Sequence, residues 1–206
     1  MITIINYGMG NPQSMASMLK YIGFESKVTS DAGEITAAGK LILPGVGAFD
    51  AGMDQLGRLG LVEVLNKKIL EEKTPILGIC LGMQLFTRES EEGKRKGFCW
   101  LGAKTKKFDF NASENKKLKI PHMGWNTIDL QKESRLFSGL EEGARFYFVH
   151  SYHLVCDDRR DVAAMTNHGY DFVSAVEHDN ILGVQFHPEK SHKFGMRLLR
   201  NFAELY

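Results

Sequence analysis

The 206-residue chain has 26 basic and 25 acidic side chains, a formal net charge of +1, and 43% hydrophobic residues. This size suits one well-buried domain spanning residues 1–206, and so even a charge gives no footprint for nucleic acid or an anionic membrane; the lysine-rich stretches 94–96, 104–107 and 116–119 read as solvated surface. Three cysteines without a CxxC spacing point to a reduced, cytoplasmic chain, no apolar run reaches membrane-span length, and residues 1–6 lack the basic region of a signal peptide.

In chain order, Ile2 to Asn6 reads as an apolar strand, followed by a helix with Asn11 as N-cap, Pro12 at its first position and Gly23 beyond its end near Ile22. Phe24 to Thr29 and Lys40 to Leu43 read as the next strands. A loop and a helix from Leu61 to Glu72 follow, then a strand from Thr74 to Ile79 and a helix starting near Leu81. Strands alternating with helices predict a parallel sheet covered on both faces. The second half changes character. Lys104–Phe110, Leu118–Ile120, Thr127–Leu130, Arg145–Ser151, His153–Cys156, Asp161–Thr166 and Phe172–His178 look like short strands. Asp179-Asn180 marks a hairpin turn into Ile181–Phe186, and an amphipathic helix from His192 to Leu205 closes the chain. The fold class is therefore α/β, a mostly parallel central sheet flanked by helices with an antiparallel extension in the second half.

Chemistry concentrates at two strand ends. Gly78-Ile79-Cys80-Leu81-Gly82 places a cysteine on a strand-to-helix turn with the G-x-C-x-G spacing of a nucleophile elbow, where a Cβ at either flanking glycine would crowd the turn. Unpaired N–H groups at a helix start favour a thiolate, and the Leu81 N–H can donate to an oxyanion. Far along the chain, the strand ending at Phe186 runs into His187-Pro188-Glu189. On extended backbone residues two apart face the same way, so Glu189 can orient the His187 ring toward Cys80. A third element, Leu43-Pro44-Gly45-Val46-Gly47-Ala48, ends a strand in glycines that let backbone N–H groups turn toward a developing negative charge.

These three elements in this order resemble the class I (triad-type) glutamine amidotransferases. The segments Tyr7-Gly8-Met9-Gly10-Asn11, Pro121-His122-Met123-Gly124-Trp125-Asn126 and His150-Ser151-Tyr152, with the run from Gly183 to Lys190, are similar within that family to the glutaminase subunits of imidazole glycerol phosphate synthase. The resemblance covers essentially the whole chain and implies a flavodoxin-like amidotransferase fold. It implies that Cys80 attacks L-glutamine to give a thioester, that His187 moves protons and that Glu189 orients His187. Val46 or Gly47, with Leu81, would form the oxyanion hole, and Gly47, Gln84, Glu92 and Ser151 would surround the glutamine. No cofactor or metal is implied. Ammonia would pass to a (β/α)8-barrel cyclase subunit that makes imidazole glycerol phosphate and the aminoimidazole carboxamide ribotide of histidine biosynthesis. Met9, Gly10, Asn11, Pro121, Met123, Trp125, Tyr147 and Lys190 would meet that partner in a heterodimer.

Pro12 departs from the aliphatic residue usual in the family. Paralogous glutaminases supplying a sugar-amidating synthase of surface-polysaccharide synthesis are the alternative reading. Gly8-Met9-Gly10 invites a dinucleotide-binding reading, but Gln13 stands where its third glycine belongs. His150 and His153, three apart on a strand, should point to opposite faces, against metal binding. Cys99 and Cys156 are expected to pack as small apolar residues. Asn111-Ala112-Ser113 matches a glycosylation sequon by chance.

Overall fold

The computed structural model describes residues 1–110 and 118–206; the sequon Asn111-Ala112-Ser113 and the lysines Lys116 and Lys117 lie outside them. The first half runs β1 (Ile2–Ile5), α1 (Pro12–Tyr21), β2 (Ser26–Thr29), α2 (Ala32–Thr36), β3 (Leu41–Gly45), α3 (Phe49–Arg58), α4 (Leu61–Asn66), β4 (Ile76–Cys80) and α5 (Leu81–Gln84). The second half runs β5 (Ala103–Lys107), β6 (His122–Thr127), β7 (Asp129–Leu130), β8 (Arg145–His150), β9 (Tyr152–Cys156), β10 (Val162–Asn167), β11 (Asp171–His178), β12 (Ile181–Val184) and α6 (His192–Leu205).

The sheet has the order β2-β1-β3-β4-β12-β11-β10-β7, with β5 and β9 joined to it through β11. Pairing is parallel from β2 across to β12 and antiparallel beyond. β6 and β8 form a separate two-stranded ribbon. The inner strands β1, β3, β4 and β12 are buried at every position, as a sheet covered on both faces requires. Alternation sorts their side chains into two cores. Ile4, Ile42, Leu77, Ile79, Leu182 and Val184 pack with α1 and α6. Ile5, Leu41, Leu43, Ile76 and Ile181 pack on the other side with Leu56, Leu61 and Leu65 of α3 and α4.

Asn11 caps α1 by accepting from the Ser14 N–H at 3.1 Å, with Pro12 inside the first turn. The hairpin at Asp179-Asn180 pairs His178 with Ile181. Several expectations need correction. α2 and α3 were not expected from the sequence: α3 carries Gly52 and Gly57 and has no side-chain cap, so its local signals are weak, yet Phe49, Gly52 and Leu56 face the core. The helix expected to Glu72 is α-helical only to Asn66 and continues as a wider π turn over Lys67–Glu71. Leu118–Ile120 is not a strand; the strand is the following segment, His122–Thr127, entered through a cis Ile120-Pro121 bond. Cys99 is exposed rather than packed: its φ of 58° lies in an irregular stretch where Phe98 and Trp100 stack on each other and leave it outside. Cys156 is half-buried.

Candidate functional site

The parallel register sets Cys80, the last residue of β4, opposite Gly45, the last of β3. The loop 44–48 therefore starts beside the cysteine at the carboxyl end of the sheet. Cys80 itself has φ 55° and ψ −111°, a conformation that costs a non-glycine residue about 1–3 kcal/mol and persists only where the surroundings enforce it. The flanking glycines are part of that enforcement. A Cβ on Gly82 would lie 1.8 Å from the Leu43 carbonyl oxygen, and one on Gly78 would lie 2.6 Å from the Phe86 ring. β3, β4 and α5 can thus close together only around residues without side chains. Gly45 is equally constrained, since a Cβ there would meet the Tyr7 hydroxyl at 2.4 Å and the Gly82 N at 2.9 Å.

His187 follows the end of β12, the strand hydrogen-bonded to β4, so strand pairing brings together groups 107 positions apart in the chain. Its N–H donates to the Tyr147 carbonyl at 2.9 Å. The Ser191 hydroxyl donates to the His187 carbonyl at 2.6 Å and accepts from the Tyr147 N–H at 3.0 Å. Gly195 of α6 closes the support, since a Cβ there would lie 1.9 Å from the Pro188 carbonyl oxygen. His187 Nδ1 lies 2.8 Å from Glu189 Oε1, and both side chains are almost fully buried. The route to this pairing differs from the expected extended backbone: Pro188–Lys190 forms a 3₁₀ turn that curls Glu189 back beneath the ring. His187 Nε2 is buried and has no hydrogen-bond partner among the described residues. Burial acts to lower the imidazole pKa, but Cys80 and Glu189 outweigh it and push it up to about 10. The ring holds its proton at neutral pH, between a sulfur and a carboxylate.

Gly47 has φ of 124°, within the range that favours glycine, and Val46 beside it is 52% exposed. Met9 lies over this loop, since a Cβ on Gly47 would meet its Cε at 2.6 Å, and a Cβ on Gly10 would lie 3.2 Å from the Gly45 Cα. Leu81 opens α5 and is buried. Glu92 reaches the same region by accepting from the Phe49 N–H at 2.8 Å, at the start of α3. Ser151 sits at the break between β8 and β9. Gln84 is buried, its amide donating to the Tyr152 carbonyl at 3.1 Å and to Gln185 Oε1 at 3.0 Å.

Pro121, Met123, Trp125, Tyr147 and Lys190 lie together around β6. Met123 and Trp125 are exposed. Trp125 stacks on His192 with centroids 5.2 Å apart and meets Tyr147 edge-on, while Lys190 Nζ lies 5.6 Å from the centre of the Tyr147 ring. Asn11 is tied up as a helix cap.

Two residues near the sulfur carry no role in the sequence reading. Gln185 Nε2 donates to Cys80 Sγ at 3.5 Å. The Tyr7 hydroxyl is buried and has no hydrogen-bond partner among the described residues, its pKa raised by burial and by Cys80. Gln185 had a signal, lying two residues before His187 on the strand that delivers it; Tyr7 had none. His150 and His153, expected on opposite faces, both pack against Phe108, at 5.2 and 4.8 Å, because the strand breaks at Ser151.

The glutamine amidotransferase class-I family model matches residues 3–205. The chain belongs to this family. It is 54% identical over 204 residues to imidazole glycerol phosphate synthase subunit HisH 2 of Methanococcus maripaludis, covering 99% of both chains. It is 45% identical over 205 residues to the subunit HisH of Leptospira borgpetersenii, covering all of both. Among solved structures it resembles a glutamine amidotransferase with a TM-score of 0.73 at 20% identity, over 98% of this chain and 97% of that one, a likeness of fold.

Proposed function

We propose that this chain is the glutaminase subunit of an imidazole glycerol phosphate synthase and forms one amidotransferase domain over residues 1–206. The observation that carries the reading is the buried Cys80–His187–Glu189 constellation on a strained elbow, within a chain aligned end to end with HisH subunits. The names of those relatives favour the histidine pathway over a sugar-amidating synthase.

In this reading the Cys80 thiolate attacks the glutamine carboxamide carbon. The oxyanion is held by the Leu81 N–H and by an N–H of the Val46–Gly47 loop. His187 passes its proton to the departing ammonia, leaving a γ-glutamyl thioester. The neutral imidazole then takes a proton from water, which attacks the thioester to release glutamate and return Cys80. Glu189 keeps the ring aligned through both steps. Gly47, Gln84, Glu92 and Ser151 surround the substrate, and no cofactor is required.

Ammonia passes to a (β/α)8-barrel cyclase subunit in a heterodimer, docked on the surface formed by Met9, Gly10, Asn11, Pro121, Met123, Trp125, Tyr147 and Lys190. Val46, exposed between two glycines, is the point at which the loop reorients its peptide to complete the oxyanion hole when the partner binds. Among the described residues no helix is long and apolar enough to cross a membrane, and three free cysteines suit the cytoplasm. Complementation of a histidine auxotroph lacking its own glutaminase subunit tests the pathway. Growth without histidine is expected. No growth, with a sugar-amidating synthase co-purifying instead, would reassign the acceptor.

A further inference from the structure

The sulfur of Cys80 is the inner end of a hydrogen-bond chain that begins near the surface on the β6–β8 ribbon and is buried from His122 inward, and its atoms fix one another's orientation. Asn126 Nδ2 lies 2.9 Å from the Asn167 carbonyl oxygen, which only accepts, so the Asn126 amide presents its NH2. The same nitrogen lies 3.2 Å from His122 Nε2, which must therefore accept. His122 and His150 are buried, and burial foremost holds both pKa values below the usual histidine range, so both rings are neutral. A neutral ring that accepts at Nε2 donates at Nδ1. His122 Nδ1 lies 3.1 Å from His150 Nε2, making that atom an acceptor in turn, and His150 Nδ1 donates to the Tyr152 carbonyl at 2.8 Å. Every role is assigned by elimination, and none conflicts.

The Tyr152 carbonyl takes a second hydrogen bond from the Gln84 amide, at 3.1 Å. Because that carbonyl can only accept, Gln84 presents its NH2, and the second N–H of that group meets Gln185 Oε1 at 3.0 Å. The Gln185 amide is thereby locked with its oxygen toward Gln84 and its NH2 toward Cys80 Sγ, 3.5 Å away. Without Gln84 the amide could flip and set a carbonyl oxygen against the sulfur, repelling a thiolate instead of donating to it. Gln185 is 0% exposed, so water cannot substitute for either partner.

We propose that Gln185 is a further catalytic residue, an N–H donor to the sulfur both as attacking thiolate and as leaving group. Gln84, His150 and His122 are its positioning residues, which orient the donor from the ribbon that carries Trp125. The assignment of a catalytic step rests on the glutaminase reading above; the donor to sulfur does not.

The test is the alkylation rate of Cys80 by iodoacetamide as a function of pH, on the isolated chain without glutamine. It is followed at the Cys80 peptide by mass spectrometry because Cys99 is exposed. Gln185→Met keeps the length and volume but removes the donor, and Gln185→Glu serves as a second variant that keeps the shape and puts an acceptor there. Both should react about tenfold more slowly at pH 7, with profiles displaced to higher pH, in protein whose circular dichroism spectrum shows it folded; a lower melting temperature is expected, because Gln84 loses its buried partner. His122→Leu should slow the reaction by a smaller factor and add nothing in the Gln185→Met background. An unchanged alkylation profile in folded Gln185→Met or Gln185→Glu would overturn the proposal, as would a His122→Leu effect of full size in the Gln185→Met background. If the wild-type chain with its partner fails to hydrolyse glutamine, the glutaminase reading falls while the alkylation profile still decides the donor.

Discussion

Cys80 occupies a backbone conformation that L-residues avoid, and three glycines hold it there. Gly82 is the least replaceable, because the atom a Cβ would strike is a main-chain oxygen rather than a flexible side-chain end. Gly82→Ala should cost about 3 kcal/mol or more, read from the urea midpoint of the purified variant. A loss under about 1 kcal/mol would mean that β3 and α5 can separate without penalty. At His187 the controlling neighbour is Glu189. In Glu189→Gln the geometry survives but the negative charge does not, so the imidazole should give up its proton at a pH below its present value of about 10, seen by NMR titration of the ring. Glutamine turnover should fall by about 10²-fold or more, as when a triad carboxylate becomes an amide. Turnover near the wild-type rate would leave Glu189 without a catalytic role. The triad residues were legible in the sequence because glycines and a His-Pro-Glu run mark them locally. Gln185 and Tyr7 were not assigned roles, since their contact with Cys80 exists only once β12 and β1 are placed.

At the scale of elements, the β6–β8 ribbon and the β8–β9 break gather His122, His150 and His153 around Phe108, with His168 stacked on His122. Burial is the chief cause that lowers the pKa of the first three, to about 4 for His122. The sign of the consequence is fixed. The unfolded chain takes up protons on these rings near pH 6.5, before the folded one does, so their contribution is fully present above 6.5 and is lost as pH falls toward 4. His122→Asn should therefore lose less stability than the wild type between pH 6.5 and 4.5 in urea unfolding, and equal acid slopes would contradict the assignment. The histidine cluster was hidden from sequence reasoning because a single unbroken strand through residues 150–153 would have sent two of its members to opposite faces. The parallel half of the sheet was far more legible, since its strands are apolar at consecutive positions and bounded by helix caps. The exceptions are α2, which is only five residues long, and α3, whose glycines erase its local signal and whose order comes from packing against α5.

At the scale of the whole molecule, three of the exposed apolar side chains, Val46, Met123 and Trp125, lie on the loop beside Cys80 and on the ribbon that starts the hydrogen-bond chain to it. In the proposed function, a partner docked there would touch the Val46–Gly47 loop and the ribbon together, and glutamine hydrolysis would stay slow until it binds. Trp125→Ala should weaken binding of the barrel subunit by about tenfold or more in calorimetry while leaving the melting curve of the isolated chain unchanged, because Trp125 is 44% exposed. Undiminished affinity would move the contact surface elsewhere. The proposed function has Cys80 supply ammonia to a second active site. It is tested most directly by the complex of Cys80→Ala with its barrel partner, given glutamine or an ammonium salt as the nitrogen source. Loss of product formation with glutamine and its retention with ammonium is the expected outcome. Undiminished product formation from glutamine would contradict it.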